Sequence, residues 1–171
     1  NDILFGIADV TSKGIAPALV GNCARSLIHY FSDEDSAEIL NKVNKSLIGE
    51  GLSEQHFVTC FMGTLDNQLN FNYVAAGHQM MIHINNKGEI NYLNGPNIPL
   101  GLDSDQVFEI QSIQLKTGEL VFLYTDGIPE LQNHAYEIFS QERLERLIIS
   151  LKNKSAQEIE HVVYSKISQF V

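Results

Sequence analysis

Apolar residues run almost unbroken from Ile3 to Val10 and stop at the polar loop Thr11-Ser12-Lys13-Gly14, a pattern that predicts a short buried strand. Beyond Gly14 the period changes. Ile15, Ala18, Leu19, Asn22, Cys23, Ser26, Leu27 and Tyr30 recur at helical spacing, with Pro17 acceptable in a first turn. The cluster Ser32-Asp33-Glu34-Asp35-Ser36 then offers N-caps for a second helix, with Ile39, Leu40, Val43 and Leu47 inward and an end near Gly49 and Gly51. Together these two segments read as a helical hairpin.

The middle of the chain alternates strand and turn. His56–Asp66 and Leu69–Gly77, separated by Asn67 and Gln68, predict an antiparallel hairpin. Met80–Ile84 and Glu89–Leu93 predict a second, since Asn85-Asn86-Lys87-Gly88 supplies the residues that accept positive φ. Gln106–Leu115 and Glu119–Thr125, joined by Lys116-Thr117-Gly118, predict a third pair. Helical spacing returns after Asp126-Gly127, with Leu144, Leu147, Ile148 and Leu151 on one stripe. A last helix starts from the capping box Ser155-Ala156-Gln157-Glu158 and places Ile159, Val162, Val163 and Ile167 inward. Adjacent hairpins with helices in two blocks predict an α+β fold built on antiparallel sheet. Consecutive apolar positions in Met80–Ile84 and Glu119–Thr125 suggest sheet buried on both sides, as in a β-sandwich with helices outside.

Composition narrows the function. The 171 residues are 44% apolar, enough for a sizeable core, and carry 11 basic against 21 acidic side chains, a formal charge of −10. No Lys/Arg cluster forms a stripe for phosphate backbones, so nucleic acid is not the expected partner. Cys23 and Cys60 sit inside apolar runs and read as buried thiols of a reducing compartment, which points to the cytoplasm. No run of about 18 apolar residues spans a bilayer, so the fragment is not expected to be membrane-inserted. The chain opens on Asn1 already leading into a strand, without an initiator Met, and is expected to be a fragment of a longer protein.

The six histidines, at 29, 56, 78, 83, 134 and 161, never fall into a zinc-helix spacing. Ser12 lies outside any Gly-x-Ser-x-Gly elbow, and neither a P-loop nor a Gly-x-Gly-x-x-Gly turn is present. What remains is a pair of aspartates at matching positions: Asp9 closes "ILFGIADV" and Asp126 closes "ELVFLYTDG". Each apolar strand delivers a carboxylate to its C-terminal edge, where oxygen ligands for Mg²⁺ or Mn²⁺ belong. Simpler roles stand beside this one. Asp9 serves equally as an Asx-turn before the first helix, Asp126-Gly127 as an ordinary turn, His78 as a strand-end histidine satisfied by backbone, and Lys13 as a solvated cation rather than an attractor of anionic substrate.

"ADVTSKGIAPAL" (residues 8–19) resembles the "GDVSGKGxxAAL" motif of the bacterial serine phosphatases related to the sporulation phosphatase SpoIIE and to RsbU, a branch of the metal-dependent protein phosphatase 2C (PP2C) superfamily. "FVTCFMGTLD", "YVAAGHQMM", "GPNIPLGL" and "LVFLYTDGIPE" follow in the family's order, then "EIFSQERLERLI", so the likeness covers nearly the whole chain. It implies a PP2C-like α-β-β-α sandwich, truncated at both ends, with residues 1–171 forming one phosphatase domain. It also implies two Mn²⁺ or Mg²⁺ ions that generate a hydroxide to attack a phosphoserine or phosphothreonine ester. Asp9 would bridge both ions, the Val10 backbone carbonyl would ligate one, and Asp126 the other; Lys13 is the candidate substrate-binding residue. The implied substrate and partner is a phosphorylated anti-sigma-factor antagonist, and a homodimer is compatible with the branch. Ala8, Ser12 and Pro129 depart from the family pattern without removing a carboxylate. The family's upstream Gly-Gly-Asp segment and closing Asp-Asp strand are not among these residues, so this fragment is expected to hold metal weakly or not at all. A catalytically inactive, partner-binding relative is the alternative expectation.

Overall fold

The computed structural model describes residues 2–51 and 56–171; the strand onset read at Asn1 lies outside them. In chain order the described elements are β1 (Ile3–Val10), α1 (Ile15–Tyr30), α2 (Ser36–Gly49), β2 (Val58–Leu65), β3 (Asn70–Ala76), β4 (Met81–Ile84), β5 (Ile90–Leu93), β6 (Gln111–Gln114), β7 (Leu120–Phe122), α3 (Gln141–Leu151) and α4 (Ala156–Phe170). They divide into two units, Asn1–His78 with Asn94–Leu115, and Gln79–Leu93 with Lys116–Val171. Each unit holds one antiparallel sheet and one pair of helices, so the α+β expectation is met.

The first unit is built on the sheet β1-β2-β3-β6. β1 lies along β2 from Ile3 opposite Leu65 to Val10 opposite Val58, and the predicted β2–β3 hairpin pairs Phe61 with Ala75 through Leu65 with Phe71. β2 is buried on both faces. Cys60 and Met62 join Val74 and Ala76 in a core with Ile39, Leu40, Val43 and Leu47 of α2, all four of them fully buried. Removing each such side chain from water contributes about 1.5–3 kcal/mol. On the opposite face Phe61 stacks on Tyr73 at 5.1 Å between ring centroids, and Phe71 stacks on Phe5 at 5.4 Å.

Capping places α2 where the acidic cluster predicted it: the Asp35 carboxylate accepts the Ala37 and Glu38 N–H groups, both at 2.9 Å. α1 also forms where expected, but only part of the expected stripe packs inward, Cys23 and Leu27 lying half-buried against the core. Pro17, Val20 and Ala24 face the core, whereas Ile15 is 81% and Leu19 64% exposed. The segment is apolar on more than one side, so periodicity alone does not choose a face. Close packing does: a Cβ on Gly21 would stand 2.9 Å from Val10 Cγ2, so the helix approaches β1 along its glycine.

The second unit centres on β4, in the order β5-β4-β7. Met81, Ile82 and Ile84 of β4 are all buried, as their consecutive apolar positions suggested, but β7 is only half-buried. The β4–β5 turn uses Gly88 at φ +83°, and the Asn85 side chain accepts the Lys87 and Glu89 N–H groups. α3 buries Leu144 and Ile148; α4 buries Ile159 and Val163 behind the expected Ser155/Glu158 capping box.

The third predicted hairpin does not form. β6 pairs with β3 and β7 with β4, so the two strands joined by Lys116-Thr117-Gly118 belong to different sheets. The linker is held elsewhere: Asn86 Nδ2 donates to the Thr117 carbonyl, and Gly118 at φ +89° comes against Asn86 Oδ1. The predicted strand over 106–115 also shrinks to β6. Asn41 explains this, because its side-chain amide exchanges both hydrogen bonds with the Phe108 backbone and satisfies it without a ladder.

Candidate functional site

Asp9 and Val10 close β1, the edge strand of the first sheet. Val58, which faces Val10, spends both its N–H and its C=O on Leu100, at 3.0 and 2.8 Å. Val10 therefore occupies a position of the β1–β2 ladder without cross-strand bonds, and its own N–H and C=O point to the open side of β1. Asp9 Oδ1 accepts that Val10 N–H at 2.9 Å. The carboxylate and the Val10 carbonyl thus converge on one edge, with no ladder partner competing for either. An Asx-turn into α1 is not what Asp9 makes.

The backbone behind this edge is held by Thr59, which sequence reasoning did not single out, and by His78, which it did. Thr59, opposite Asp9 in β2, places Oγ1 3.3 Å from the Asp9 carbonyl oxygen and 2.8 Å from His78 Nδ1. His78 is buried, and its Nδ1 meets a side-chain hydroxyl, a contact that its strand-end position in the sequence did not specify. It reaches Thr59 because Gly77 turns the chain at φ +62°, where a Cβ would lie 2.4 Å from the Pro99 ring. Gly77 N–H donates to the Asn97 carbonyl at 2.9 Å, so "GPNIPLGL" fastens both Gly77 and Val58. That loop is tied in turn to α2 by Asn44, fully buried, which accepts the Gly101 N–H and donates to the Asp103 carbonyl. A polar residue inside the apolar stripe of a helix was the available signal for Asn44; Thr59 gave none beyond its place in an apolar run.

Asp126, in the second unit, is exposed and lies four residues past β7, not at a strand end. Consecutive turns hold it: Ile128 N–H donates to Thr125 C=O and Glu130 N–H to Asp126 C=O, at 3.2 and 2.9 Å. Two residues upstream, the Tyr124 carbonyl accepts from Gln79 Nε2 at 2.8 Å, and the Tyr124 hydroxyl bonds the Gln141 amide of α3. Lys13 is exposed in the β1–α1 loop, where Ser12 stands at φ +74°.

The donors offered are oxygens: the Asp9 carboxylate with the Val10 carbonyl, and separately the Asp126 carboxylate. Such donors fit a hard divalent cation, which takes few carboxylates and completes its shell with water. Among the described residues no group of three or more His, Cys, Asp or Glu side chains comes together. Cys60 is no nucleophile, because burial pushes its thiol up to about 12 and keeps it protonated at neutral pH. Cys23 and Cys60 are both free.

Two antiparallel sheets, each with a pair of helices, and an aspartate delivered by the first strand define a PP2C-type phosphatase fold. The chain belongs to the family of Stage II sporulation protein E (SpoIIE), whose sequence model matches residues 1–170. It is 25% identical over 175 residues to the phosphoserine phosphatase RsbU of Bacillus subtilis, a match covering 98% of this chain and 50% of RsbU. The structure of the RsbU and RsbW domains of Rv1364c from Mycobacterium tuberculosis superposes with a TM-score of 0.83 at 21% identity, over 98% of this chain and 48% of that one. RsbX, solved in complex with magnesium, superposes with a TM-score of 0.71 at 16% identity, over 99% of this chain and 74% of that one. This chain therefore spans about half the length of RsbU.

Proposed function

We propose that the 171 residues form one phosphatase domain of a protein that hydrolyses phosphoserine or phosphothreonine on a regulatory protein, in a reaction dependent on Mn²⁺ or Mg²⁺. The observation that carries this is the convergence of the Asp9 carboxylate and the Val10 carbonyl on the open edge of β1, in a chain that matches a serine phosphatase family almost end to end. Asp9, Val10 and Asp126 are the metal ligands in this reading. The ions would supply Lewis acidity toward water and positive charge toward the phosphoryl oxygens, which matters because phosphate monoesters are among the slowest substrates to hydrolyse unaided.

The chain's own residues prepare this chemistry. The bond from Val10 N–H fixes the Asp9 carboxylate through one oxygen, and the other oxygen accepts no hydrogen bond among the described residues. Half-burial of Asp9 strengthens its attraction for a cation relative to a fully solvated carboxylate. Lys13, exposed beyond it, draws the phosphorylated segment inward. The proposed substrate is a phosphorylated anti-sigma-factor antagonist. This agrees with the likeness to RsbU, itself a phosphoserine phosphatase.

The test is phosphate release from such a phosphoprotein with Mn²⁺ present, using the natural polypeptide that carries this chain at full length. Asp9→Asn should reduce turnover by at least about a hundredfold. Unchanged turnover with the fold intact would sink the assignment.

A further inference from the structure

We propose that Thr59 and His78 are positioning residues for the Asp9–Val10 edge, acting as a two-link brace on the Asp9 carbonyl. This rests on the reading of Asp9 and Val10 as metal ligands. The argument begins with protons. A carbonyl oxygen only accepts, so the 3.3 Å approach of Thr59 Oγ1 to the Asp9 carbonyl is a hydrogen bond only if the hydroxyl donates its single proton there. The hydroxyl then has lone pairs alone to offer His78 at 2.8 Å, and His78 Nδ1 must be the protonated ring nitrogen. The geometry thus assigns one tautomer to His78 and one direction to the chain: Nδ1–H to Thr59 Oγ1, then Thr59 O–H to Asp9 C=O.

The brace is stiff. His78 is buried and follows Gly77, whose backbone is pinned by Asn97 and which leaves no room for a Cβ beside Pro99. Thr59 has a β-branched side chain with few rotamers, on a strand flanked by both β1 and β3. The peptide they hold joins Asp9 to Val10, and the two proposed oxygen donors lie on either side of it. Partners one shell behind metal ligands act in this way, fixing the orientation of the donors and not touching the ion.

The first test needs no metal. A long-range ¹H–¹⁵N NMR spectrum of the 171-residue chain should show His78 Nδ1 protonated; a ring protonated at Nε2 alone would reverse the hydroxyl and overturn the brace. The second measures Mn²⁺ binding by electron paramagnetic resonance in the full-length polypeptide. Thr59→Val should weaken Mn²⁺ binding about tenfold, with turnover at saturating Mn²⁺ changed less than twofold, and Thr59→Ser should restore the affinity. Equal Mn²⁺ affinity in folded Thr59→Val refutes the proposal; if that variant does not fold, the tautomer decides. Asp9→Asn in the same titration separates the two levels. Lost binding there with unaltered Thr59→Val removes the brace alone, whereas unaltered binding in Asp9→Asn removes the ligand reading and the brace with it.

Discussion

Asp9 and Asp126 look alike in one dimension, each an acid after an apolar run, yet the structure holds them by different means. Asp9 sits in a strand whose partner β2 is buried on both faces, and its surroundings are locked by Leu100, Thr59, His78, Gly77 and Pro99. Asp126 is exposed on a run of turns, tied through Tyr124 to Gln79 and Gln141. The first is a position determined by long-range contacts, the second by bonds mostly local in sequence. Chain entropy should therefore matter more at the second site, and packing at the first.

Replacing each acid breaks the comparison most severely. Asp9→Asn should abolish turnover at any Mn²⁺ concentration, a loss of at least about a hundredfold, because in the proposed reading its carboxylate would hold the metal that activates water. Asp126→Asn should lose comparable activity at low Mn²⁺ and recover part of it, about tenfold, at high Mn²⁺. Equal, metal-independent loss in both variants would show that they do not differ in role.

A pair of glycine substitutions compares the two surroundings directly. Gly77→Ala places a Cβ 2.4 Å from the Pro99 ring at a positive φ and should cost about 3 kcal/mol, read as a lower urea midpoint. Gly127→Ala meets only Thr125 Oγ1 at 3.5 Å and should change stability by less than about 0.5 kcal/mol. Similar costs at both positions would contradict the contrast between packed and local support.

Ser12→Gly probes strain beside the first site. Ser12 holds φ +74°, which glycine adopts freely, but glycine also loses more entropy on folding, so the net gain should be about 0.5 kcal/mol, or a rise of about 1–2 °C in Tm. A fall in Tm would show that the serine side chain contributes more than its backbone costs.

The smallest expected effect is a pH response confined to the second unit. Burial pushes the Glu119 carboxyl up, but the bonds from His83 Nε2 at 3.0 Å and from the Lys116 N–H outweigh it and hold the group below its ordinary 4.5. A depressed carboxyl stabilises the fold above its unfolded pKa, and that contribution fades as pH falls through the lower folded value. Urea midpoints taken from about pH 6 to about pH 3 should fall less steeply in Glu119→Gln than in the parent chain. An identical slope would remove Glu119 from the acid response.

How much of this was readable in advance depended on whether a signal was local. The Asp35 cap, the Ser155/Glu158 capping box, the α2 stripe and the Asn85–Gly88 turn act within a few residues, and all were legible. Legibility failed where a distant partner chose among local options. The α1 face was chosen by Gly21 against Val10, the length of β6 by Asn41, and the separation of β6 from β7 by their partners β3 and β4. His78 was visible as a candidate, but Thr59, which meets its Nδ1, lies 19 residues upstream on another strand.

The sequence alone determined the α+β class, the hairpins within each sheet, the family and the two acids, because periodicity, turn chemistry and motif order are written in neighbouring residues. Only the tertiary structure decided that Val10 has a backbone free of β2, that Thr59 and His78 stand behind Asp9, and that Asp126 rests on turns rather than on a strand. The reason is physical: a ladder's register and a buried hydrogen bond depend on groups brought together across tens of residues, and no local propensity encodes which of them will meet.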